Sequence, residues 1–322
     1  MTYTIEKVTT LIGARRYGDN DTNIGFILTD SRSLCFPEET LFFALKSERN
    51  DGHNYIPELY RRGVKNFVVT DVPKGYASDY PGANFLKVVN TLEALQRLAE
   101  RHRDEFNIPI VGITGSNGKT MVKEWLYQLL SPSMFVTRSP RSYNSQIGVP
   151  LSVWLMNEQT QVGVFEAGIS QPGEMLALRD IIQPTIAVLT NVGSAHQENF
   201  SSLEEKCREK LILFHDAETV VYDGDDELIT KVVAEYPDYK GEKLFWSLKN
   251  PEAPFYVKSI EKQQSVSVIT YIYKGEIDSF SIPFIDEASI QNSIISAVVA
   301  SKLGVSAEDI DKRMAKLEPV AM

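Results

Sequence analysis

At 322 residues the chain is too long for one average domain and suits two, each with its own core. Its 33 basic against 43 acidic residues, net −10, argue against a protein that tracks a nucleic-acid backbone, although local basic residues can still hold a small phosphorylated ligand. Two cysteines, Cys35 and Cys207, imply no disulfide framework, and neither a secretory apolar stretch nor a membrane-length apolar run is present, so a cytoplasmic globular protein is expected.

The first hundred residues alternate short apolar runs with helical patterns. Phe42 to Leu45, Phe67 to Thr70 and Phe85 to Val89 read as strands, and Ile56 to Arg62 and Leu92 to Phe106 as helices. Leu92, Leu95, Leu98 and Ala99 share one face of the second helix. This is a small α/β domain over residues 1–106, ending where Pro109 disfavours helix in the residue before it.

A second domain, 107–322, opens on the apolar run Ile108 to Ile113, a buried strand. Thr114-Gly115-Ser116-Asn117-Gly118-Lys119-Thr120 follows, and then a helix over Met121 to Leu130 with Val122, Trp125, Leu126 and Leu129 at helical spacing. Strand, Gly-rich turn and helix together make a phosphate site. Glycines let backbone N–H groups face inward, the helix N-terminus adds partial positive charge, and a lysine reaches the outer phosphates. Thr120 offers a hydroxyl to a phosphate-bound Mg²⁺. The common pattern G-x-x-x-x-G-K-[ST] would need Gly at position 113, which is Ile; the loop is the tighter G-x-x-G-K-T led by Thr114.

Val162 to Glu166 and Ile186 to Thr190 are nearly all-apolar, as in a parallel sheet covered on both faces. Phe255 to Ile260, Val266 to Tyr273 and Ser279 to Phe284 read as antiparallel strands, with Lys274-Gly275-Glu276 as a turn. A helix with Ile290, Ile294, Ala297 and Val298 inward follows, then one over Ala307 to Leu317 capped by Ser306. The fold class is α/β: a small N-terminal domain and a P-loop domain with a mostly parallel sheet and a few antiparallel strands.

Function in an open parallel sheet gathers at the carboxyl ends of the strands. Glu166 closes one strand, His196 lies just past another, and Lys210 lies fourteen residues beyond His196 on the helical stretch Leu203 to His215. A carboxylate at a strand end beside a P-loop is a natural Mg²⁺ ligand, and a neutral imidazole can be another. Taken singly, each has a plain alternative: a solvated strand end, a surface histidine, a charged helix face.

Three segments together resemble the Mur ligase family of ATP-dependent amide-bond formers in peptidoglycan precursor synthesis: Thr114 to Thr120, Glu166 to Met175 and Asn191-Val192-Gly193-Ser194-Ala195-His196. Tyr143 to Leu151 and Pro172-Gly173-Glu174-Met175 resemble the branch that adds D-alanyl-D-alanine to the UDP-N-acetylmuramoyl tripeptide. Thr29-Asp30-Ser31-Arg32, Leu41 to Leu45 and Asp51-Gly52-His53 resemble the family's UDP-binding domain. The resemblance implies ATP and Mg²⁺ as cofactors, an acyl-phosphate route, and a monomeric enzyme. It implies ATP contacts from Thr114 to Thr120 and from Asn292, Mg²⁺ on Thr120, Glu166 and His196, catalytic roles for Lys119, His196 and a carbamylated Lys210, and substrate contacts from Ser31, Arg32, His53 and Asn144.

Departures are visible. The family's paired asparagines are here Asn144-Ser145, and Ala288 to Gln291 lacks the Gly and His that usually precede the adenine-side asparagine. The family also carries a third, amine-binding domain, and this chain stops about where it would begin, so a fragment of a longer enzyme is expected, in some members fused further to an alanine racemase. Alternatives from the residues are a diaminopimelate- or lysine-adding ligase, a folylpolyglutamate synthase, a non-catalytic nucleotide-binding module, and a nucleic-acid-dependent ATPase that the net charge disfavours.

Overall fold

The computed structural model describes residues 1–193, 197–236 and 239–320. Contacts divide the chain into Met1–Phe106 with Met156–Glu158, and Asn107–Leu155 with Gln159–Met322.

In the first unit, five strands are ordered Arg15–Tyr17, Asn84–Lys87, Asn66–Val69, Thr40–Phe43, Phe26–Leu28. The last four run parallel and Arg15–Tyr17 runs antiparallel at the edge. Phe42, Phe67 and Phe85 fill the interior, with Phe67 and Phe85 stacked at 5.3 Å. Helix Thr91–Arg103 starts where Asn90 accepts from the amides of Leu92 and Glu93, a side-chain cap, and it buries Ala94, Leu95, Leu98 and Ala99. The strand expected over Phe85 to Val89 ends at Lys87, because the chain must turn there to present Asn90 as that cap; Val89 is 98% exposed.

In the second unit, six strands lie parallel in the order Glu242–Lys243, Thr219–Val221, Ile186–Leu189, Ile110–Thr114, Val162–Glu166, Val136–Arg138. Ile110–Thr114 is central, and the order reverses around it, which opens a crevice at the strands' carboxyl ends. Helix Lys119–Leu130 buries Val122, Trp125, Leu126 and Leu129 in a core shared with helix Glu287–Lys302. A second sheet is ordered Trp246–Ser247, Phe255–Gln263, Val266–Tyr273, Glu276–Ile282, and its last three strands are antiparallel.

The last hairpin turns at Lys274-Gly275, both at positive φ, so its return strand begins at Glu276 rather than at Ser279. Its start, Glu276-Ile277-Asp278, is solvated and gives little apolar signal. The stretch Leu203 to His215 is α-helix only to Leu211 and continues as a 3₁₀ turn, Ile212–Phe214. Ser306 caps Ala307–Met314 by accepting from Asp309 N. Among the described residues no helix is long and apolar enough to cross a membrane.

Candidate functional site

The Gly-rich loop leaves the central strand with Gly115 at φ 148° and enters its helix through Gly118 at φ 83°, conformations that side chains rarely adopt. A Cβ on Gly115 would lie 1.8 Å from Thr190 Oγ1, and one on Gly118 would lie 2.5 Å from Asn292 Oδ1. Both glycines are therefore required by close approach as well as by dihedral. The second contact also places Asn292, from helix Glu287–Lys302, directly against the loop; its amide nitrogen faces Met121 Sδ at 3.2 Å.

The segment after Ile186–Leu189 holds the loop open. Ser116 N donates to Asn191 O at 3.0 Å, and Asn117 N donates to Asn191 Oδ1 at 3.0 Å. Thr190 Oγ1 donates to Asn117 O at 2.5 Å, and Gly193 N donates to Ser116 Oγ at 2.8 Å. Lys206 Nζ, from helix Leu203–Leu211, donates to Gly193 O at 2.5 Å. Lys119 Nζ folds back onto Gly115 O at 2.8 Å, so its ammonium lies over the hollow of the loop. Burial lowers the Lys119 pKa, opposed by Glu166.

Glu166 is wholly buried at the end of its strand. Its Oε2 accepts from Thr120 Oγ1 at 3.0 Å and from Asn144 Nδ2 at 3.4 Å, while Thr120 Oγ1 lies 3.3 Å from Ser142 Oγ. Its Oε1 lies 3.0 Å from Lys123 Nζ, yet no donor is aligned with it for a hydrogen bond. The other carboxylate oxygen, Oε2, and the Thr120 hydroxyl beside it present a pair of oxygen donors of the kind a hard cation takes. The residues fit magnesium.

Lys210 is also buried, and among the described residues its ammonium has no hydrogen-bond or ion-pair partner. Burial, reinforced by the charges of Lys119 and Lys206, pushes its pKa down to about 7. Its neighbour Glu209 faces the other way, accepting from Gly173 N at 2.8 Å and Met175 N at 3.1 Å at the start of helix Glu174–Ile182. His196 lies outside the described residues.

In the other unit, Asp30 accepts from Arg32 N at 3.0 Å and pairs with the Arg32 guanidinium, Nη2 to Oδ2 at 2.6 Å, at the 3₁₀ turn Ser31–Ser33. Arg32 remains 87% exposed. His53 uses both ring nitrogens inside the unit: Nε2 accepts from Thr70 N at 3.1 Å, which leaves Nδ1 to donate to Asp51 Oδ1 at 2.6 Å. The turn at Ser31 and the loop at His53 follow the parallel strands Phe26–Leu28 and Thr40–Phe43 at their carboxyl ends.

The structure thus brings Lys119, Thr120, Asn144, Glu166 and Asn292 to one loop. Lys123, Ser142 and Lys206, to which the sequence pattern gave no role, stand beside them, as does Asn191, the first residue of the segment that ends at His196. Lys123 carried a signal: it follows Lys119 by four residues on one helix face, an unfavourable like-charge pair with no acidic residue three or four positions away on that helix.

A family model, the Mur ligase middle domain, matches residues 113–300, and another, the Mur ligase family catalytic domain, matches residues 23–103. The UDP-N-acetylmuramoyl-tripeptide–D-alanyl-D-alanine ligase of Bacillus subtilis is 28% identical over 308 residues, covering 94% of this chain and 64% of that protein. This chain therefore spans somewhat under two thirds of that relative. A MurF crystal structure from Acinetobacter baumannii superposes with a TM-score of 0.89 at 24% identity, over 99% of this chain and 69% of that one, a likeness of fold. The MurF ligase of Thermotoga maritima in complex with ADP gives a TM-score of 0.78 at 27% identity, over 91% and 66%.

Proposed function

The chain belongs to the Mur ligase family, and from that premise we propose that it works in the ATP-dependent addition of D-alanyl-D-alanine to UDP-N-acetylmuramoyl tripeptide. The observation that carries this reading is the hydrogen bond between Thr120 and Glu166, which puts a P-loop hydroxyl and a buried strand-end carboxylate on one spot. The curated name of the Bacillus relative supplies the substrates.

In this reading the tripeptide's terminal carboxylate takes the γ-phosphoryl group of ATP, and the acyl phosphate then loses phosphate to the attacking amine, with ADP as the other product. Two anions must meet in the first step, so neutralising charge is most of the catalysis. The Lys119 ammonium would move from Gly115 O to the β- and γ-phosphates, and the first-turn amides of helix Lys119–Leu130 would cradle them, while Asn191 takes the Ser116 and Asn117 amides and so shapes the loop. Thr120 and Glu166, with His196, would hold magnesium, which supplies Lewis-acid neutralisation of the phosphates when bound. Lys210, with its pKa lowered by burial to about 7, has a neutral amine fraction near neutral pH that is able to take up CO₂ as a carbamate, releasing a proton, and so present an anion in place of a cation. In this reading Asn292 would contact the adenine side of ATP and Asn144 the tripeptide carboxylate, while Ser31, Arg32 and the loop braced by His53 would contact the UDP moiety.

Hydroxylamine trapping tests this. ATP, Mg²⁺ and the UDP-muramoyl tripeptide together should yield a tripeptide hydroxamate, and omission of any one should abolish it. ATP turnover indifferent to the tripeptide would refute the reading.

A further inference from the structure

We infer that Lys123 is the built-in counter-cation of the Glu166 metal position, a positioning residue that keeps bare divalent ions out until they arrive on nucleotide. This rests on the reading of Glu166 as a metal ligand.

Lys123 lies one helical turn beyond Lys119, and its side chain is wholly buried. A buried ammonium is costly unless paired. Its Nζ is 3.0 Å from Glu166 Oε1, 3.0 Å from Glu124 Oε1, and hydrogen-bonded to the carbonyl oxygen of Arg141. Glu124 Oε2 in turn accepts from Arg138 Nε at 3.1 Å. Along Arg138, Glu124, Lys123 and Glu166 the charges alternate and cancel. Lys119 then leaves the pocket with excess positive charge. Such a pocket does not attract a free divalent cation, whereas a polyphosphate brings the negative charge that makes one welcome.

The carboxylate is also divided by geometry. Lys123 takes the Oε1 side, so only Oε2, beside Thr120 and Asn144, is left facing the loop. The Arg141 carbonyl that Lys123 holds belongs to a residue at φ 48°, and the segment following it carries Ser142 and Asn144 to the same spot. One ammonium therefore fixes the ligand's orientation and the segment beside it. A purely structural salt bridge would do the second without affecting metal affinity.

Mn²⁺ binding followed by electron paramagnetic resonance separates the two, with no nucleotide and then with ADP, on the wild type, Lys123→Met and Glu166→Gln. The wild type should leave Mn²⁺ free up to millimolar concentration without nucleotide and bind it with ADP. Lys123→Met should bind free Mn²⁺ at least about tenfold more tightly than the wild type, since a unit charge beside the ligand has been removed. Equal free-Mn²⁺ binding by the two proteins, with Glu166→Gln still weakening Mn²⁺ uptake in the presence of ADP, overturns the role of Lys123 alone. Glu166→Gln without effect on that uptake overturns the metal reading and this inference with it. Should Lys123→Met not fold, Lys123→Gln takes its place, and micromolar capture of free Mn²⁺ by the wild type is by itself contrary to the inference.

Discussion

Thr120 Oγ1 donates to Glu166 Oε2 at 3.0 Å, joining the first turn of the helix after the Gly-rich loop to the end of the neighbouring parallel strand. Neither residue is remarkable alone. Strand pairing of Ile110–Thr114 with Val162–Glu166 sets them side by side, and the tight turn through Gly115 and Gly118 aims the threonine across.

Lys119→Ala removes the fixed charge over the loop. Nucleotide affinity, measured by calorimetry with ATP and Mg²⁺, should fall roughly 10- to 150-fold, the range for a charge-assisted hydrogen bond lost. Unchanged affinity in a folded variant would sink the phosphate-site assignment.

Gly115→Ala meets Thr190 Oγ1 and requires φ near 148° of an alanine. The loop must shift or the residue must stay strained, so urea denaturation should show a loss of about 1–3 kcal/mol. ATP binding should weaken in the same variant. A midpoint equal to that of the wild type would show that the loop has room the structure denies it.

Lys210, with its pKa near 7, is largely neutral at pH 8, and only the neutral amine adds CO₂. With ¹³C-bicarbonate, a carbamate resonance should grow as the pH rises from 6 to 8 and vanish in Lys210→Ala. Short-chain carboxylates should partly restore the activity of that variant. No carbamate at pH 8, with no rescue, would exclude the modification.

His102 is buried between the Tyr3 hydroxyl, 2.8 Å from Nδ1, and the Met156 carbonyl, 3.0 Å from Nε2. Burial pushes its pKa from 6.5 down to about 4. Between those values the unfolded chain binds the proton and the folded chain does not, so stability falls as the pH falls through that window. The loss should reach about 2 kcal/mol by pH 5, and His102→Gln should flatten this part of the profile. A wild-type profile level from pH 7 to 5 would contradict it.

Much of the fold was legible because burial writes periodicity into the sequence. Val162–Glu166 and Val266–Tyr273 were read with their observed ends, one as a continuous apolar run and the other as a paired strand. Short strands were not read: Thr219–Val221 and Val136–Arg138 offer three residues each, too few for a period to show. The helix after the loop begins at Lys119 rather than Met121, because left-handed Gly118 serves as its cap and no capping side chain marks the spot. At the site, the Gly-rich loop announced itself, whereas Lys123 showed only as a like charge one helical turn beyond Lys119. Polar residues on a helix read as a solvated face, and only the paired strands reveal that Glu166 lies beneath this one.

The most direct test of the proposed substrate is calorimetric titration of the protein with UDP-muramoyl monopeptide, dipeptide and tripeptide in the presence of Mg²⁺ and a non-hydrolysable ATP analogue. The account predicts that the tripeptide form binds at least about tenfold more tightly than the dipeptide, a difference of about 1.4 kcal/mol. Equal affinities, or a preference for the dipeptide, would contradict it and assign the chain to a different step of the same chemistry.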